Sequence, residues 1–65
     1  MSLTVEILEM LAAHNVGAAT QAVRACSEPV PLIELLEMLW SSGIEGSGDV
    51  IGAVLERLQQ LRSAL

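Results

Sequence analysis

Lysine, tyrosine and phenylalanine are absent from this chain, and cysteine, histidine and tryptophan occur once each. Each shortage removes a class of function. Arg24, Arg57 and Arg62 are the only basic side chains, set against eight carboxylates, for a net charge of −5. Nucleic-acid binding draws most of its affinity from Lys and Arg neutralising phosphates, so nucleic acid is not an expected partner, and an anionic membrane surface is disfavoured for the same reason. A basic protein surface is the better electrostatic match. One cysteine, Cys26, excludes an intramolecular disulfide. With His14 it makes up the whole supply of soft metal ligands, at no metal-binding spacing, so no metal or cofactor is expected. No run approaches the roughly 18 apolar residues of a membrane span. The start of the chain has no basic segment, and Glu6 and Glu9 interrupt its apolar run, so a signal peptide is not expected and the expected location is the cytoplasm.

What is present is apolar surface in a short chain. Of 65 residues, 52% are hydrophobic, and the mean hydropathy is +0.56. A single domain over 1–65 is the most this length allows, and a chain so small buries only about 60% of its unfolded surface. With disulfide and metal excluded, self-association is the remaining way to cover the apolar excess, and a homodimer is expected.

The most informative pattern is a repeat. Val5-Glu6-Ile7-Leu8-Glu9-Met10-Leu11 returns as Ile33-Glu34-Leu35-Leu36-Glu37-Met38-Leu39, with five of seven positions identical. The echo continues into Asn15-Val16-Gly17 against Gly43-Ile44, and into Gln21-Ala22-Val23 against Gly52-Ala53-Val54 after a three-residue insertion. This reads as one helical hairpin written twice, over about 3–28 and 31–64. The predicted fold is all-α: four short helices as two tandem hairpins, packed as a homo-oligomeric bundle.

Helical periodicity predicts the first helix over 3–13, with Ser2 or Thr4 as N-cap, a buried stripe of Leu3, Ile7, Leu8 and Leu11, and a solvated face of Glu6, Glu9 and Ala13. His14 and Asn15 end it, Asn15 being suited to a left-handed cap. The second helix, over 18–27, is lined by small residues, with Gln21, Arg24 and Glu28 facing water. Pro29 and Pro31 punctuate the next boundary. The third helix, over 31–40, is apolar except for Glu34 and Glu37, a composition that predicts a helix nearly surrounded by protein. A Ser/Gly-rich loop over 41–48 follows. The fourth helix is expected over 50–64, capped by Ser47 or Asp49, with Val50 and Leu55 towards the core. Its Ile51, Val54, Leu58, Leu61 and Leu65 step 3-4-3-4 and are the expected oligomer interface.

Catalytic chemistry finds no footing. His14 has no activated hydroxyl or thiol within a helical turn. Cys26 stands near a helix C-terminus beside Glu28, not in the electropositive setting that activates a thiol. Gly46-Ser47-Gly48-Asp49 lacks the Lys and Ser/Thr of a phosphate-binding loop. The paired glutamates have no accompanying histidine of the di-metal bundle type, and the Asp-Ser that carries the prosthetic arm in acyl carrier proteins does not occur. The expected function is therefore a non-catalytic protein-interaction module: an adaptor, inhibitor, chaperone or regulatory subunit. Glu34, Glu37 and Trp40 are its candidate partner-binding residues, since tryptophan is enriched where binding energy concentrates. The alternative is a small helix-turn-helix-like transcription regulator. Against it stand a turn of seven or more residues, where three or four are usual, and the absence of base-reading side chains early in the fourth helix.

Overall fold

The computed structural model describes residues 2–64 and contains four helices: α1 Leu3–Ala12, α2 Val16–Ala25, α3 Pro29–Ser42 and α4 Ser47–Ser63. The protein is all-helical. α1 pairs with α2 and α3 with α4, while α1 also packs on α3 and α2 on α4. The radius of gyration is 10.8 Å, against roughly 10.7 Å expected for a folded chain of this length. The accessible surface is 4143 Å², against about 4000 Å² for an ordinary monomer of this mass. The single chain therefore closes on itself as well as a typical monomer does. Which atoms it leaves outside is what distinguishes it.

The core is drawn from all four helices: Ile7 and Leu11, Ala19 and Val23, Leu32, Leu35, Leu36 and Leu39, and Val50, Ala53 and Val54. Burial follows the repeat. Ile7 and Leu35 are both fully buried, as are Val23 and Val54, whereas Val5 and Ile33 are 44% and 45% exposed. The three-residue insertion has a location: relative to α1, helix α3 runs two residues further, to Ser42, and its following turn, 43–46, is one residue longer than 13–15.

The helix boundaries come from local chemistry that the periodicity does not report. At the start of α1, Ser2 Oγ accepts from the Val5 N–H at 3.2 Å. At its end, the His14 N–H donates to Leu11 O (3.0 Å) and the Asn15 N–H to Met10 O (2.9 Å), the paired bonds of a Schellman motif. The left-handed residue is His14 (φ 57°) and not Asn15. Asn15 instead opens α2, its Oδ1 accepting from the Ala18 N–H at 3.2 Å, so α2 starts and ends two residues earlier than expected. α3 begins at Pro29, and both prolines lie in its first turn, where no intrahelical N–H is required. It continues through Ser41 and Ser42, whose hydroxyls donate back to Met38 O and Leu39 O, and stops at left-handed Gly43 (φ 64°).

α4 starts at Ser47, with Gly46 as its N-cap. Ser47 and Asp49 are inside the first turn instead of capping it, and the turn objection to a helix-turn-helix is thereby corrected: the connection 43–46 is four residues. Gly46 is left-handed (φ 86°), and a Cβ there would lie 3.0 Å from Val16 Cγ2. The start of α4 thus presses on the start of α2. Near the other end of that pair, Arg57 of α4 reaches Cys26 at the close of α2, so the two helices run side by side in the same direction.

Candidate protein-interaction surface

Helix α3 has more apolar side chains than one buried face can hold. Leu32, Leu35, Leu36 and Leu39, at i, i+3, i+4 and i+7, take the inward stripe. The expectation that the whole helix is surrounded does not hold within one chain: Val30 (62%), Ile33 (45%) and Trp40 (64%) are exposed. Trp40 is therefore no part of the core. Glu37, one turn before it, and Glu34, a further turn back, are exposed on the same outer side, so the three candidate partner-binding residues stand on one continuous face. An indole open to solvent and flanked by carboxylates can bury a large flat apolar area, keep one N–H donor, and attract cations to its rim.

The matching ridge on α1 is not its equal. Glu9 is exposed, but Glu6 is half-buried. With Met10, Ala13 and Asn15 the two line a shallow depression of about 440 Å³. The residue corresponding to Trp40 is Ala12, so this ridge has charge without an anchor.

The expected oligomer seam on α4 divides. Val54 is fully buried within the chain and has no area left for a second copy. It faces inward because α2 lies directly against α4. Ile51, Leu58 and Leu61 are half-buried against the core, and Leu65 lies outside the described residues. Leu55, expected inside, is 47% exposed, because the packing partners of α4 take the side that carries Val50, Ala53 and Val54. Near the end of α4 a groove of about 430 Å³ opens between Pro29 and Ser27 on one side and Leu58, Leu61, Arg62 and Ala64 on the other.

The remaining candidates for chemistry are accounted for structurally. His14 is exposed and serves the α1 turn. Cys26 is half-buried, its Sγ–H donating to Glu28 O at 3.5 Å. Among the described residues no group of three or more His, Cys, Asp or Glu side chains is placed to hold a metal ion, and no helix is long and apolar enough to cross a membrane. Sequence reasoning missed Arg57, which donates from Nε to Cys26 O at 2.8 Å and from Nη1 to Gln60 Oε1 at 3.2 Å. Its only signal in the sequence was an arginine on the core-facing side of α4, three residues past Val54. No family model matches the chain, and no curated protein or solved structure matches it.

Proposed function

We propose that this protein is a small, non-catalytic protein-interaction module whose working face is the outer side of α3, with Glu34, Glu37 and Trp40 as its contact residues. The observation that carries the reading is Trp40, 64% exposed on a helix whose four leucines are all buried. An exposed tryptophan with Ile33 exposed two turns back on the same flank is uncovered apolar area of the kind that marks an interaction surface. The flanking glutamates select the partner's chemistry: an apolar slot bordered by basic groups, with charge complementarity raising the association rate and rejecting acidic competitors. We further read the chain as a duplicated hairpin acting as a homodimer. The matched burial of the two halves supports the duplication, and the half-exposed α4 edge of Ile51, Leu58 and Leu61 supports the dimer.

The test is comparative retention from an extract of the native host, using immobilised wild type, Glu34→Lys/Glu37→Lys and Trp40→Ala. A partner held by the wild type and lost from both variants supports the reading. If every retained protein is retained equally by all three, the α3 face is not the binding site and the proposal falls.

The helix-turn-helix-like regulator gains one point from the four-residue turn 43–46. It gains nothing from the side chains, since the exposed positions opening α4 are Gly48, Asp49 and Gly52. A salt-dependent gel shift with host DNA separates the readings: binding whose affinity falls steeply with salt would favour the regulator.

A further inference from the structure

We propose that the groove near the end of α4 is filled by Trp40 of a second copy of this chain, two copies closing on each other through reciprocal contacts. This rests on the interaction-module reading and narrows it: the first occupant of the α3 face is another copy.

Three observations lead there. The first is placement. Pro29 lines the groove and begins α3, and Trp40 is eleven residues further along the same helix (40 − 29). Eleven residues are about 16 Å of rise and just over three whole turns, so Pro29, Ile33 and Trp40 share one flank. In a two-fold dimer with the α3 helices antiparallel, the groove end of one copy meets the tryptophan end of the other, and both contacts form in a single docking. A closed two-fold interface requires one patch to carry both complementary halves, and this flank does.

The second observation is charge. The α3 face taken alone carries only carboxylates, so two such faces opposed directly would set Glu34 and Glu37 against their own kind. The groove instead carries Arg62 at its wall. Inserting Trp40 brings Glu37, one turn before it, towards the Arg62 guanidinium, which can also stack on the indole. The third is the asymmetry of the repeat. With Ala12 where α3 has Trp40, each chain offers one anchor and one groove, and a two-fold pair uses both at once, so it leaves no anchor free for a third copy. An external partner binding Trp40 then competes with the second copy.

The experiment is sedimentation and tryptophan emission of the full chain over a dilution series. The wild type should reach twice 6.9 kDa with emission moving to the blue as the dimer forms. Trp40→Ala removes an exposed side chain, so helicity should persist while association weakens at least tenfold. Ala64→Trp, which fills the groove from within, should do the same. Arg62→Glu and Glu37→Arg should each weaken association, and the double variant should recover most of it. A dimer indifferent to Trp40→Ala and Ala64→Trp uses another surface, which overturns this proposal and leaves the homodimer reading standing. A folded monomer at every concentration overturns both, while the reading of α3 as a partner face is judged separately by the retention experiment.

Discussion

The Nε–H of Arg57 donates to the backbone carbonyl of Cys26 at 2.8 Å, joining residues 31 apart in sequence. The same separation of 31 relates the N-caps Asn15 and Gly46, and the buried pairs Ala19 with Val50 and Val23 with Val54. With Gly46 against Val16 at one end and Arg57 on Cys26 at the other, α2 and α4 lie in parallel, and Arg57 closes the far end of the pair. A carbonyl at a helix end has no intrahelical partner, and this one is satisfied by a side chain from the other half of the molecule.

Arg57→Ala should therefore destabilise the protein by about 1–2 kcal/mol, the scale of a hydrogen bond with one charged partner, reduced because the arginine is only half-buried. Arg57→Lys should recover less than half of the loss, because the ammonium lacks the directed Nε–H. Urea denaturation followed by helicity reads both, and an unchanged midpoint for Arg57→Ala would show the bond to be unimportant.

His14 holds a left-handed backbone that costs an L-residue roughly 1–2 kcal/mol. Glycine avoids that cost but loses about 0.5–1 kcal/mol to unfolded-chain entropy. His14→Gly should thus stabilise by about 0.5–1 kcal/mol, and His14→Val, β-branched in the same conformation, should destabilise. Thermal melts of the three forms should rank Gly, His, Val from highest to lowest.

Gly46→Ala faces both the left-handed backbone and a 3.0 Å approach to Val16 Cγ2. The expected loss is about 2 kcal/mol, combining the backbone cost with displacement of Val16. Gly48→Ala, two residues on in the same helix with open space at its Cβ, is the control. It should be neutral or stabilising by up to about 1 kcal/mol. Equal effects at the two glycines would contradict the tight packing at the start of α4.

Val54 and Leu58, neighbours in the same 3-4 seam, should behave differently. Val54→Glu places an unpaired carboxylate in a fully buried site, at a cost of several kcal/mol. That is comparable to the roughly 3–10 kcal/mol total stability of a chain this size, so helicity should collapse. Leu58→Glu, at a half-buried site on the groove wall, should keep most of the helicity and weaken self-association. Circular dichroism and sedimentation on the same samples separate the outcomes. Unfolding by both variants, or by neither, would mean the seam is not divided as described.

Reversing Glu34 and Glu37 to Lys should slow association with a basic partner and flatten its salt dependence while leaving helicity unchanged, since both side chains are exposed. Stopped-flow association at two ionic strengths is the measurement. An unchanged rate would reduce the glutamates to solubilising groups.

Much of the fold is legible in the sequence. The all-helical class and the four helices followed from apolar spacing, and of the stripe expected on α1 Ile7 and Leu11 are buried while Leu3 and Leu8 are only partly so, because a helix that buries one stripe records its period in the sequence but not the width its neighbours cover. The ends were less legible. Asn15 suits either the close of one helix or the opening of the next, and only the hydrogen-bond geometry, with His14 taking the left-handed position, assigns it to α2. A three- or four-residue turn cannot be told from a longer loop when Ser and Gly fill both the turn and the helix beside it.

The side on which each surplus apolar residue falls was decided by tertiary structure alone. Periodicity says that α3 and α4 have more hydrophobic side chains than one stripe accommodates, but the choice among them depends on where the neighbouring helices lie. α2 against α4 encloses Val54 and leaves Leu55 outside. α1 and α4 against α3 enclose Leu36 and leave Ile33 and Trp40 in water. The sequence by itself determined that apolar surface would remain uncovered. The directions in which the four helices cross and abut, set by packing between residues far apart in the chain, determined that the surface left over is a tryptophan face on α3 and a groove near the end of α4.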